Sequence, residues 1–214
     1  MTLDPKIDLR VTELLASRLC HDLVGPIGAV NNGMELMSDE GLGMADDALD
    51  LASRSAAQAA SILQFFRLAY GMAGARVDGG FATLRRIAND YLEHHKASLD
   101  WAVEVEPPAV PEDAGKLILN LVALAGEALP RGGNIAVCLA QADPLTLEVI
   151  AVGADAGLRD EVTLGLSESV PSEELSPRGV HGYFTQRVAQ RLNGAISVEM
   201  PAEDALRFAV TIQH

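Results

Sequence analysis

Between residues 9 and 37, apolar side chains recur in steps of three and four, at Val11, Leu15, Leu19, Leu23, Pro26, Val30, Met34 and Met37. That spacing lines one face of a helix. The stretch Ser38-Asp39-Glu40-Gly41-Leu42-Gly43 carries two glycines and no apolar run, which predicts a turn. A second helical stripe follows over 44–70: Ala45, Ala48 or Leu49, Ala52, Ala56, Ala59, Leu63, Phe66 and Tyr70, ended by Gly71 and Gly74. At ~1.5 Å per residue these helices make a hairpin roughly 40 Å long. A lone hairpin has too few neighbours to cover both apolar faces. Pairing with a second copy would close a four-helix core, and the Ala-rich second helix suits close backbone approach. The expectation is therefore a homodimer. The competing arrangement is a hairpin packed on its own C-terminal half.

Past residue 75 the pattern changes in kind. Residues 81–95 read as helix, and 99–106 alternate apolar with polar as a half-buried strand does, closed by Pro107-Pro108. Residues 112–129 predict a helix with Leu117, Leu121, Leu124 and Ala128 on one face. The turn Pro130-Arg131-Gly132-Gly133-Asn134 leads into a hairpin of strands 135–139 and 145–152. Helices near 160–166 and 182–192 and strands over 195–199 and 206–212 complete the order. A mainly antiparallel sheet with helices layered on one face is the natural packing for it. The expected fold class is α+β, with a helical hairpin over 1–75 and an α/β sandwich over 76–214.

Composition narrows the picture. Apolar residues make up 49% of the chain but aromatics only 4%, so the core must be built from Ala, Leu, Val and Ile. The formal charge of −14 comes without a basic stripe, which argues against nucleic acid as a direct partner. No stretch approaches the ~20 apolar residues of a membrane span, and the start has no signal-like apolar core. Cys20 and Cys138 are far apart and lack metal-ligand spacing, so no metal site is expected. The reading is a reduced, cytoplasmic protein with no membrane partner.

His21 carries the candidate chemistry. A neutral imidazole offers a lone pair at one ring nitrogen, and an acid beside it, here Asp22, can orient the ring or accept its proton. Phosphoryl transfer asks mainly for positioning and charge stabilisation, much of which a partner can bring. His21 lies off the apolar stripe, with Ser17, Arg18, Val24, Gly25 and Gly28 as same-face neighbours. A glycine inside a helix costs ~1 kcal/mol against alanine, so Gly25 and Gly28 require a compensating reason. Room for a partner surface is one. Pro26 removes the amide that would bond the carbonyl of Asp22 and should bend the helix there. Cys20 is expected as a small buried residue, His94-His95 as a helix end, and Arg54 or Gln58 at the level of His21.

The segment Leu19-Cys20-His21-Asp22-Leu23-Val24-Gly25-Pro26 resembles the H-box of sensor histidine kinases, which follow a helical hairpin with an ATP-binding domain. With Arg18 and Gly25-Pro26-Ile27-Gly28-Ala29-Val30-Asn31-Asn32-Gly33 it is more similar to the ChpT family of bacterial histidine phosphotransferases. The resemblance implies a dimer that relays phosphate from the receiver domain of a hybrid kinase to those of response regulators. It implies His21 as nucleophile, Asp22 as its partner, and docking around Arg18, Leu14, Val24, Gly25 and Gly28. No cofactor would be bound by this chain, and Mg2+ would be carried by the partner's receiver domain. The nucleotide motifs of the kinases are broken. Asn120 matches the first asparagine of an N-box but Leu124 stands at the second. Asp155 and Gly157 match an Asp-x-Gly-x-Gly pattern that Arg159 interrupts. His181 and Tyr183 interrupt a Gly-x-Gly-x-Gly loop. The resemblance thus implies a kinase-type ATPase fold without ATP turnover.

Overall fold

The computed structural model describes residues 9–38, 45–71, 80–103, 113–140 and 145–212. Helices α1 (Leu9–Ser38) and α2 (Ala45–Ala69) form the hairpin. The expected turn between them lies outside the described residues from 39 onward. Their approach is close. A Cβ added to Gly33 would fall 2.8 Å from the carbonyl oxygen of Ala48 and 2.9 Å from the Ala52 methyl group. Small residues thus set the helix spacing, as the alanine content implies. The buried stripe of α2 differs in detail from the expected one. Ser55, Ile62 and Phe65 are buried, whereas Ala56 and Leu63 face outward. The stripe turns because α2 packs on α1 and, at its C-terminal end, also on α3 and α4.

Helix α3 (Gly80–Leu92) runs through a short 3-10 turn, Glu93–His95, into β1 (Ala97–Val103). Then come α4 (Ala114–Glu127), β2 (Gly133–Ala140), β3 (Leu145–Val152), α5 (Asp160–Gly165), α6 (Gly179–Arg191), β4 (Ile196–Ala202) and β5 (Ala205–Ile212). The five strands are ordered β1-β2-β3-β5-β4, with β1 parallel to β2 and every other pair antiparallel. Alternation along β3 buries Leu145, Leu147, Val149 and Ala151 under the helices.

Helix α4 is the axis of the molecule. Every residue from Ala114 to Gly126 is buried, because α2, α3, α6 and the sheet surround it. A single amphipathic face had been expected for this helix; a helix enclosed on all sides needs apolar residues all round. The hairpin's inner end joins this core. Phe65 stacks on Tyr91 at 3.9 Å between ring centroids, Tyr70 meets Phe184 edge-on at 5.3 Å, and Leu19 and Leu23 pack against the cluster. The hairpin therefore does pack on its own C-terminal half at that end. Elsewhere Val24, Ile27, Met34, Leu49 and Leu63 remain exposed, Val24 by 70%. Among the described residues no helix is long and apolar enough to cross a membrane.

Candidate functional site

Helix α1 presents His21 to solvent with its side chain 87% exposed. Its Nδ1 lies 3.2 Å from Oδ1 of Asp22, the adjacent residue. If Nδ1–H donates to that carboxylate, the lone pair sits on Nε2. Pro26 is buried five residues on. Gly25 and Gly28 have nothing within 4 Å of an added Cβ, so contacts within the chain do not require glycine at either position. The space beside His21 is open on that side. Cys20 is exposed rather than buried, because the turn of the helix that carries Leu19 inward carries Cys20 outward. Leu14 is only partly exposed, whereas Val24 is well exposed.

Arg18, one turn before His21, turns inward toward α4. Its Nη2 pairs with Oε1 of Glu127 at the end of α4, and its side chain is 12% exposed. Burial disfavours the guanidinium charge, yet Glu127 together with Tyr70, Tyr91 and Asp22 outweighs it and the Arg18 pKa is raised. The same Glu127 oxygen accepts from Nδ1 of His181 on α6 at 2.9 Å. On its other side the fully buried His181 ring sets Nε2 at 3.1 Å from Oδ1 of Asn120. Asn120 in turn donates from Nδ2 to the carbonyls of Ala69 and Lys116, both at 2.8 Å. Tyr70 covers the His181 ring edge-on at 5.8 Å. Burial raises the pKa of Tyr70 and of Tyr91, keeping both phenols neutral beside the network. One chain of polar contacts thus runs from α1 through α4 to α6 and the end of α2.

His21 lies on the wall of a cleft of about 670 Å3 between the hairpin and the C-terminal half. Arg18, Asp22, Glu127, Arg159 and Arg178 share that wall. In a chain of net charge −14, three guanidinium groups here stand beside two carboxylates, Asp22 and Glu127. Arg178 is held only loosely by Glu161, at 3.8 Å. On the far side of Arg18 a smaller cavity of about 220 Å3 is bordered by Asp22, Gln58, Tyr91 and His95. Gln58 therefore does reach the level of the site, while Arg54 pairs with Asp50 on its own helix.

Sequence reasoning identified His21, Asp22 and Arg18, which the fold brings together. Val24, Gly25 and Gly28 share the helix but do not line the cleft. It missed Glu127, Arg178 and the role of Asn120 as a buried strut. Arg159 and His181 had been noted only as breaks in glycine motifs. Residues 179–184 are not a loop at all: they form the first turns of α6, whose early glycines serve helix packing. A Cβ on Gly182 would lie 2.7 Å from the carbonyl of Val162, and α5 could not lie so close.

The Glu127 carboxylate gives a pH-dependent stability. Burial raises its pKa, but the charge and hydrogen bond of His181 and those of Arg18 outweigh it, and the value falls from 4.5 to about 2. A depressed carboxylate pKa stabilises the fold fully above about pH 4.5 and loses that contribution as the pH falls toward 2. Its side chain is 28% exposed, so the contribution is on the order of 2–3 kcal/mol. Urea titrations of Glu127→Gln and the unsubstituted chain should converge as the pH is lowered through that window.

An exposed histidine on a helical hairpin, backed by an acid and cations beside an α/β layer, is the arrangement of a protein that handles phosphoryl groups on histidine. Residues 81–204 match the family model described as the histidine phosphotransferase C-terminal domain. The chain belongs to that family. It is 36% identical over 195 residues to protein phosphotransferase ChpT of Brucella abortus (strain 2308), covering 89% of this chain and 90% of that one. Among solved structures, one described as a bacterial phosphotransferase superposes with a TM-score of 0.81 at 32% identity, covering 98% of both chains. A mycobacterial sensor histidine kinase, MprB, shows a looser likeness: TM-score 0.45 and 17% identity over 61% of this chain.

Proposed function

We propose that this chain is a histidine phosphotransferase of a phosphorelay, carrying a phosphoryl group on His21 between aspartates of receiver domains. The observation that supports it is the exposed His21 ring with Nδ1 against Asp22. In the forward step Nε2 attacks the phosphorus of an aspartyl phosphate. The N–P bond forms as the acyl P–O bond breaks, and the aspartate leaves as a carboxylate with the electron pair. Asp22 holds the Nδ1 proton and stabilises the positive charge that the ring acquires. Transfer onward to a second receiver reverses these events. Docking uses the open face of α1 around Leu14, Val24, Gly25 and Gly28, with Arg18 at its edge. The cleft's carboxylates are already engaged by His21, Arg18 and His181, amid three arginines, a poor donor set for a cation. We therefore assign the magnesium needed for transfer to the receiver's own acidic pocket.

ATP plays no part in this reading. Asn120, the remnant of a nucleotide motif, uses both its amide and its carbonyl within the protein. Purified chain mixed with a phosphorylated receiver should gain an acid-labile, base-stable label, the signature of phosphohistidine. Incubation with γ-labelled ATP alone should leave it unlabelled. Labelling from ATP, or an acid-stable label from the receiver, defeats the proposal.

We further propose a homodimer in which the exposed apolar residues of α1 and α2 pair across a four-helix bundle. Ile27, Met34, Leu49 and Leu63 are each about half exposed, which is costly for an isolated hairpin. Light scattering should give twice the mass of one 22.6 kDa chain. A single-chain mass at micromolar concentration would refute the bundle.

A further inference from the structure

We propose that His181 is a positioning residue for phosphoryl transfer at His21: held as an imidazolium between Asn120 and Glu127, it fixes Glu127 and through it Arg18. The proposal rests on the reading of His21 as the phosphoryl carrier and goes beyond it, since His181 is fully buried and does not line the cleft.

The argument is one of donors and acceptors. Nδ2 of Asn120 donates to two backbone carbonyls, of Ala69 and Lys116. A carbonyl can only accept, so the amide cannot be turned, and Oδ1 must face Nε2 of His181. Nε2 therefore needs a proton. Nδ1 faces Oε1 of Glu127, a carboxylate oxygen that also pairs with the Arg18 guanidinium and can only accept, so Nδ1 needs a proton as well. A neutral ring would set a lone pair against an oxygen at 2.9 or 3.1 Å. Burial first, and then the Arg18 guanidinium, lower the ring's pKa, and Glu127 and Asp22 offset them only in part; against that pull stand two acceptors at 2.9 and 3.1 Å, each of which needs a ring proton. The groups facing His181 are Arg18 and Asp22 from α1, Tyr70 after α2, and Asn120 and Glu127 from α4. With both phenols neutral, the two fixed acceptors decide the matter.

The consequence reaches the cleft. One carboxylate is shared by two cations, so Arg18, Glu127 and His181 together carry a net single positive charge. With a neutral His181 they would carry none. That charge stands one helical turn from the ring that receives a doubly charged phosphoryl group. Glu127, gripped by His181, also has less freedom to draw Arg18 away from the cleft wall. The segment that would otherwise serve as a phosphate loop thus supports the phosphoryl site from behind.

The test has two readouts. In the 15N-labelled full chain at pH 7, the His181 ring, assigned through its edge-on contact with the Tyr70 ring, should show protons on both nitrogens. A single N–H there overturns the proposal without any substitution having to fold. In transfer from the phosphorylated receiver, His181→Gln and Glu127→Gln should each slow the saturating rate by about 10-fold or more. The receiver concentration giving half the maximal rate should not change. Because His181 acts through Arg18, the double variant Arg18→Gln/His181→Gln should be no slower than Arg18→Gln alone. Arg18→Lys should recover part of the rate. Independent, multiplying losses, or unchanged transfer by His181→Gln, refute the positioning role. Failure of the carrier reading looks different: His21→Gln would then still accept an acid-labile label.

Discussion

Replacing His21 by alanine should abolish acceptance of a phosphoryl group, a loss of more than about 1,000-fold in rate, while leaving the fold intact. The two halves of that expectation have separate causes. The imidazole is the atom source of the new N–P bond, and its same-face neighbours one turn before it are poor substitutes: Ser17 donates its hydroxyl to the carbonyl of Glu13, and Arg18 has no nucleophilic lone pair. The side chain is 87% exposed, and its polar partner among the described residues is the part-exposed Asp22. Removing it leaves no cavity and no orphaned buried group, so stability should move by no more than about 0.5 kcal/mol. Circular dichroism and urea midpoints check the fold, and label transfer from a phosphorylated receiver checks the chemistry. If the variant still passes phosphate between two receivers, the protein acts as a scaffold and His21 is not the carrier.

Most of the architecture was legible from periodicity. Both hairpin helices, the β2–β3 hairpin, the last two strands and the order of elements follow from steps of three to four or of two. Those signals are local, and local signals survive in a single sequence. The site was legible only where it is local too. His21, Asp22 and Arg18 sit within one turn of one helix. Glu127 is 109 residues from Arg18, and its pairing depends on how α4 ends against α1. No spacing encodes such a contact. Arg159 and His181 were visible as intrusions into glycine motifs, which marks what a site has lost. What it has gained appears only in three dimensions, where the intruding ring fills the space and bonds to the asparagine. Cys20 failed for a smaller reason: burial along a helix turns through 100° per residue, and adjacency to Leu19 gives no claim on the core.

Asn120→Ala should destabilise the protein by about 3–5 kcal/mol, the largest stability loss expected from a single polar side chain here. The amide is fully buried and makes three hydrogen bonds: two to the carbonyls of Ala69 and Lys116, and one from the His181 ring. Alanine leaves the Nε2 proton of His181 without an acceptor, and a charged ring orphaned in the interior costs more than a neutral one. It also strips the Ala69 carbonyl at the end of α2 of a partner and opens a void beside the buried His181 ring. A urea titration should show a lower midpoint with an unchanged slope, because the surface exposed on unfolding is the same. The size of the effect discriminates between two roles for this position. An asparagine kept to touch a bound nucleotide would be spare in the free protein, and its loss would cost little or even stabilise it. An asparagine that anchors an imidazolium between α2, α4 and α6 cannot be removed cheaply, with or without any ligand present.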